Sequence, residues 1–315
     1  MMGRMAERPT PARTDRLGVA AVVVATCVWA TGTVIVKGSS LDGVTFAMYR
    51  LWAGACISGL ALLVARRRLT WATFRACAPG GALFALDITL HFTSVKLTNV
   101  ANVAVIGALA PVVIALLSAR LLHERVARRD AFLAGLAFLG VVTVAVGSYG
   151  EPSWSGLGDL LAFCNIFSWT AYWFFSRRAR RDTGPIEYFA CVMLAGALVM
   201  TPAAIALEGV PAWPTSSEWA SVWAVALFPG FIGHSLVIWS HNHVESWRAA
   251  LITQATPVIS TILAWVFLDE VVTPIVAVGG AVVVGCTAAV IVHAARREAI
   301  EVEVPTLDEA VESPG

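Results

Sequence analysis

Charge is what this 315-residue sequence has least of: only 14% of its residues are Asp, Glu, Lys or Arg, where a soluble domain carries about 25%. That scarcity excludes a soluble two-domain protein, because 58% of the chain is hydrophobic and the mean hydropathy is +0.75. Many apolar runs approach the roughly 20 residues that cross a bilayer core. The sequence also lacks a phosphate-binding glycine loop, a zinc-protease helix and a nucleophile elbow. Direct ATP drive is therefore not expected, no catalytic residue stands out, and the chain is not expected to be an enzyme or to need a cofactor. The net charge of +1 carries no information about partners, and nucleic acid is not an expected one. The six cysteines lie within apolar runs and lack zinc-ligand spacing, which excludes an extracellular disulfide framework and predicts free, buried thiols. "HNHVE", from His241 to Glu245, offers two imidazoles and a carboxylate. Without a third assured ligand it reads as a solvated loop, and no metal site is expected.

Ten spans are present in the hydropathy pattern: roughly 17–37, 43–65, 76–96, 99–121, 131–149, 157–176, 186–207, 219–240, 247–268 and 274–295. The first has no small-residue cleavage site and is expected to be a retained helix. Basic residues alternate. Arg4, Arg8, Arg13, Arg16, Arg66, Arg67, Arg68, Arg75, Arg120, Arg125, Arg128, Arg129, Arg177, Arg178, Arg180, Arg181, Arg248, Arg296 and Arg297 all fall on one side, and the other has only Lys37 and Lys96 near it. Positive residues stay inside, so both termini are expected in the cytoplasm of a bacterial inner membrane. Residues 1–16 form a cytoplasmic N-terminal segment, and 296–315 are acidic, unpatterned and expected to be a disordered tail.

The two halves repeat. "PVVIALLSARLLHERV" from Pro111 resembles "PVISTILAWVFLDEVV" from Pro257, with Glu124 and Glu270 each thirteen residues after the proline. Gly135 and Gly140 match Gly280 and Gly285 after a one-residue deletion. Trp29 precedes Lys37 by eight residues, as Trp169 precedes Arg177. Each copy holds five spans, an odd number, so the copies must be inverted, 17–149 against 157–295. Inverted repeats place a transport site near the midplane, at their interface. The expected fold is an all-α membrane protein of ten transmembrane helices in two inverted five-helix repeats. The paired Pro-to-Glu segments with their glycine-spaced helices resemble the EamA domain of the drug/metabolite transporter superfamily over residues 17 to 295. The resemblance implies a carrier of small metabolites, often amino acids or related compounds, commonly an exporter. The second copy departs from the first in lacking an arginine equivalent to Arg50.

Inside the spans the ionisable groups are few: Arg50 and Asp87, with His91 and His234 as titratable companions. A charge at mid-bilayer costs about 2.5–3.5 kcal/mol on insertion scales, so such groups face a cavity or a partner. At about 1.5 Å of rise per residue, Arg50 and Asp87 reach similar depths on consecutive helices. A pair between them is the economical reading, structural or functional. His91, one turn from Asp87, reads as a proton relay or as a packing group. Asn165, Gln254, Trp29, Tyr49, Trp169 and Tyr172 are further substrate-binding or coupling candidates, the rings suited to an apolar part of a solute. Glu124 and Glu270 close spans 4 and 9 and read as turn-forming, capping residues. The expected function is alternating-access transport of a small metabolite, and the family resemblance implies export of an amino acid or related amphipathic compound. Its partners are the solute, the lipid bilayer and, on the strength of Asp87 and His91, protons; a homodimer is left open. The alternatives are a flippase for a lipid or lipid-linked headgroup, which needs a lateral opening, and a membrane-embedded enzyme, which needs a convergent catalytic set.

Overall fold

A computed structural model describes residues 16–110, 112–113, 128–147, 154–179, 183–240, 243–244, 252–253, 255–289 and 292–293. Pro111, Glu124, Gln254 and almost all of the two terminal segments lie outside the described residues. Ten helices follow one another: α1 Arg16–Gly38, α2 Gly43–Val64, α3 Trp71–Leu97, α4 Val100–Gly107, α5 Arg128–Gly147, α6 Gly156–Ala179 and α7 Pro185–Glu208; then α8, α9 Thr256–Leu268 and α10 Pro274–Ala289. Helix α8 is continuous but changes pitch. It runs as Ser216–Val225, then as a π-helical stretch Ala226–Gly233, then as His234–Ser240.

The helix starts follow local chemistry. Asp42 accepts from the Thr45 N–H at 2.8 Å before α2, and Thr70 accepts from the Thr73 N–H at 3.1 Å before α3. The Thr70 cap extends α3 to Trp71, five residues before the apolar run suggests. Thr215 and Glu218 form a reciprocal capping box at the start of α8. Helix α9 ends on Asp269, in the left-handed region at φ 53°. By length and composition α1, α2, α7 and Ser216–Val237 of α8 can each cross a bilayer. Helices α3 and α6 are as long, at 27 and 24 residues, but carry the polar groups that lower their hydropathy.

The packing reveals a twofold relation. Exchanging each helix with the one five places along maps several of the packed pairs onto one another: α3 on α6 corresponds to α8 on α1, and α1 on α9 to α6 on α4, whereas the packing of α2 on α3 has no counterpart of like extent between α7 and α8. The pairs α2–α7 and α4–α9 map onto themselves. So does α5–α10, which meets through glycines. A Cβ on Gly140 would come 3.0 Å from the Gly279 carbonyl, and one on Gly279 would come 2.8 Å from the Gly140 carbonyl. Two backbones can approach this closely in a membrane only where a side chain is absent. The glycines that meet are thus Gly140 and Gly279; Gly135 and Gly285 face open space among the described residues. Two copies of five helices related by this exchange are inverted repeats, and their interface runs through α2, α3, α6 and α7.

One expectation about cysteine is corrected. Cys77, Cys191 and Cys286 are buried, but Cys27, Cys56 and Cys164 are exposed on the helix surfaces. A thiol is a small hydrophobe, and on a chain surrounded by lipid the outside of a helix is as apolar as the core.

Candidate functional site

Where α1, α2, α3, α6 and α8 meet, most of the residues singled out from the sequence form one continuous wall. It starts at α8, where Pro229 sits within the π-helical stretch. In this wider turn two side chains reach the Pro229 carbonyl. Trp29 Nε1 donates to it at 3.1 Å, and His234 Nδ1 donates at 2.9 Å. The Trp29 and His234 rings pack edge to face, 5.2 Å between centroids. Such π turns inside α-helices commonly accompany functional sites.

The next residue brings in the cation. Gly230 lies so close to Arg50 that a Cβ there would come 2.8 Å from Arg50 Nη2. Arg50 is 5% exposed. Its guanidinium carbon lies 5.3 Å from the centre of the Phe84 ring, a cation–π distance. From Phe84 the wall continues to Tyr172 at 4.9 Å and on to Trp169 at 5.7 Å, ring to ring. Beside it, one turn along α3, Asp87 turns towards α6. Asn165 Nδ2 donates to Asp87 Oδ1 at 2.6 Å and to the Asp87 carbonyl at 2.8 Å, and Ser168 Oγ donates to Oδ1 at 3.3 Å.

The direct Arg50–Asp87 pair expected from equal depth does not form. The ion pairs among the described residues are Lys37–Glu270 and Arg67–Glu187. Equal depth places two residues in one layer but leaves the rotation of each helix free. Helix α3 presents Asp87 to α6, whereas Arg50 lies on the face of α2 that packs against α7 and α8. The partner that Arg50 has instead is Met193 of α7, whose sulfur lies 3.7 Å from Nη1, and Arg50 Nε has no hydrogen-bond partner.

The remaining candidates sit elsewhere. His91 is half-buried with its ring 5.8 Å from that of Phe92. Tyr49 lies two helical turns from the gap between α1 and α2, donating its hydroxyl to the Ala212 carbonyl at 2.9 Å and packing against Trp213 and Trp219. Gln254 lies outside the described residues. His243 of the HNHVE segment stacks on Trp239 at 3.9 Å.

A second polar assembly lies at the end of the bundle where α1 and α3 finish, called here the Lys37 end. Asp159, in the first turn of α6, is 8% exposed and was not among the sequence candidates. It accepts from Thr98 Oγ1 at 2.8 Å, from Asn102 Nδ2 at 3.0 Å and from Trp154 Nε1 at 2.9 Å. An acid in a helix's first turn is common, so its position alone gave no signal. Glu270 does cap a helix, but not the one it follows: its Oε2 accepts from the Val100 N–H, at the first residue of α4, at 2.8 Å. Its other oxygen lies 3.8 Å from Lys37 Nζ, which also donates to the Thr98 carbonyl at 2.7 Å. Lys96 donates back to the Ser39 carbonyl, so the two lysines tie the ends of α1 and α3 together.

Other residues missed from sequence were Phe84, Met193, Ser168 and the Pro229–Gly230 pair. The first two are apolar and look like core. The signal available for the last was a Pro-Gly dipeptide in the middle of a span, where a turn signal does not belong.

Known proteins resemble this chain over most of its length. An aromatic amino acid exporter, YddG of Ancylobacter novellus, is 31% identical over 214 residues, covering 65% of this chain and 69% of its own. An uncharacterized transporter of Bacillus subtilis, YyaM, is 26% identical over 186 residues, 56% of this chain. The match spans 59% of the length of YyaM. A protein of known crystal structure superposes with a TM-score of 0.61 at 25% identity, covering 89% of this chain and 98% of its own. The EamA-like transporter family matches twice, at residues 16–146 and 156–292, one match to each inverted repeat. Those two matches lie on the two halves that the helix packing relates by a twofold exchange, and by them the chain belongs to the EamA-like transporter family.

Proposed function

We propose that this protein is a secondary transporter that exports a small amphipathic metabolite, an amino acid with an aromatic or large apolar side chain, by rocking one five-helix repeat against the other. The observation that carries the reading is the wall from His234 and Trp29 through Arg50 and Phe84 to Tyr172 and Trp169. It draws on both repeats, so motion of one against the other must remake it, as alternating access requires. Its aromatic rings suit an apolar body, and the polar groups beside it suit the head of an amino acid. The name of the Ancylobacter relative points to the same class of solute.

Proteoliposomes loaded with unlabelled aromatic amino acids should take up a labelled one by counterflow. No uptake above protein-free liposomes, for aromatic or aliphatic amino acids, would sink the reading. Asp87 is the proposed proton site, because it is a buried carboxylate whose neighbours Asn165 and Ser168 can serve either protonation state. Asp87→Asn should then abolish accumulation driven by an imposed pH gradient while sparing exchange. A shifted pH dependence in His91→Gln would mark His91 as a proton relay, and a change in stability alone would mark it as a packing group against Phe92. The arginine alternation supports an inner membrane with both termini in the cytoplasm. Reporter fusions at Gly150 and Pro211 should face outside and those at Thr183 inside.

A flippase needs a lateral opening with polar groups for a headgroup. Three grooves of about 630, 540 and 510 Å³ among the described residues are walled mainly by apolar side chains. The acid on the first, Asp159, is already engaged by three donors.

A further inference from the structure

Arg50 is buried, charged and poorly served. A guanidinium offers five N–H donors in a planar fork. Among the described residues Nε has no partner, Nη1 faces a thioether sulfur at 3.7 Å, and no carboxylate forms an ion pair with the group. A thioether is a weak acceptor, and Phe84 offers the face of a ring, not an acceptor. The nearest acid by sequence logic, Asp87, has turned to Asn165 and Ser168.

The surroundings show where an anion could enter. Arg50, Gly54 and Ser58 recur every four residues and so share one stripe of α2. Ser58 lines a cavity of about 230 Å³ with Phe189, Phe231, His234, Ser235 and Trp239. Between that cavity and Arg50 stands Met193, one turn along α7 from Phe189. A Cβ on Gly54 would come 2.7 Å from the Met193 sulfur, so the thioether lies directly over the glycine. Methionine has three rotatable bonds and moves more readily than any branched side chain.

We propose that Arg50 is the carboxylate-recognition residue of the transport site: the solute's carboxylate takes the open edge of the guanidinium after the Met193 thioether swings away. An arginine fork binds a carboxylate through two parallel N–H bonds, a geometry that neither the sulfur nor a lone lysine supplies. The solute is then a carboxylate, zwitterionic or anionic, whose apolar body lies against Phe84, Tyr172 and Trp169. The proposal rests on the transporter reading for its meaning but is tested by binding, without it.

Purified wild-type protein is titrated with L-phenylalanine, with 3-phenylpropionate, which lacks the amine, and with phenethylamine, which lacks the carboxylate. Binding is read from the shift of the thermal unfolding midpoint. Phenylalanine and phenylpropionate should each bind at least ten-fold more tightly than phenethylamine. Arg50→Gln should erase that preference and Arg50→Lys should keep part of it; if Arg50→Gln does not fold, the three-ligand comparison on wild type and Arg50→Lys decides. Equal binding of phenethylamine, no binding of any of the three, or an undiminished preference in Arg50→Gln overturns the proposal. Carboxylate-selective binding without counterflow in liposomes upholds the proposal and removes the transporter reading instead.

Discussion

At the Lys37 end of the bundle each charged side chain is met by partners, and in the middle of α2 one is not. Asp159 receives three side-chain donors, and Glu270 receives a backbone N–H and faces Lys37. Lys37 and Lys96 each reach the carbonyls at the end of the other's helix. Glu218 takes Thr215 and the hydroxyl of Ser40, between the start of α8 and the end of α1. Arg50, equally buried, has an aromatic face, a sulfur and an unpartnered Nε. A set in which every charge faces a donor or an opposite charge, as even the unbonded Glu270 Oε1 faces Lys37 at 3.8 Å, holds helix ends in place. An unsaturated one keeps its hydrogen-bonding capacity for something that comes and goes.

The largest expected effect on stability tests the Lys37 end. Asp159→Ala leaves the donors of Thr98, Asn102 and Trp154 without their acceptor, and the loss should be about 3 kcal/mol, since each stranded buried donor costs about 1–3 kcal/mol. A thermal unfolding midpoint unchanged in detergent would show that the network is not holding α4 to α6. Glu270→Gln should cost less, about 2 kcal/mol, because the amide oxygen still accepts from the Val100 N–H while the charge facing Lys37 is gone. Adding Lys37→Met should recover part of that loss, and simple additivity of the two would mean that the pair contributes nothing.

Arg50→Met is expected to do the opposite of Asp159→Ala. Replacing a poorly partnered buried charge with an apolar side chain should leave stability within about 1 kcal/mol of wild type, or raise it, while lowering counterflow at least ten-fold. Destabilisation as large as that of Asp159→Ala would erase the contrast between the two regions. Ser168→Ala gives the smallest change. It removes one hydrogen bond to Asp87 of 3.3 Å, and should cost under about 1 kcal/mol with exchange retained; a larger loss would make Ser168 as important to Asp87 as Asn165.

Much of the architecture was legible before any coordinate. Hydropathy and the recurrence of the Pro-to-Glu segments are properties of the chain read locally, so ten helices, two copies and their inversion follow from them. The residues of the site were also legible as types, because an Arg, an Asp or a mid-span Trp is conspicuous in an apolar run. Their partners were not. Asn165 stands 78 residues from Asp87, and Met193 stands 143 from Arg50. Which of them meet depends on how each helix is rotated about its own axis, and no periodicity in a single helix specifies that.

The sequence by itself determined that the chain is a bundle of apolar helices, doubled and inverted, with a few ionisable groups at mid-depth, because insertion cost and helical period act on each segment alone. Tertiary structure decided that Asp87 turns to α6, that Glu270 caps α4 instead of its own helix, that the Pro229 carbonyl within the π turn receives Trp29 and His234, and that Arg50 has no carboxylate partner among the described residues. Each of these is a choice of partner, made where helices distant in the chain come within hydrogen-bond reach, and it exists only once they have packed.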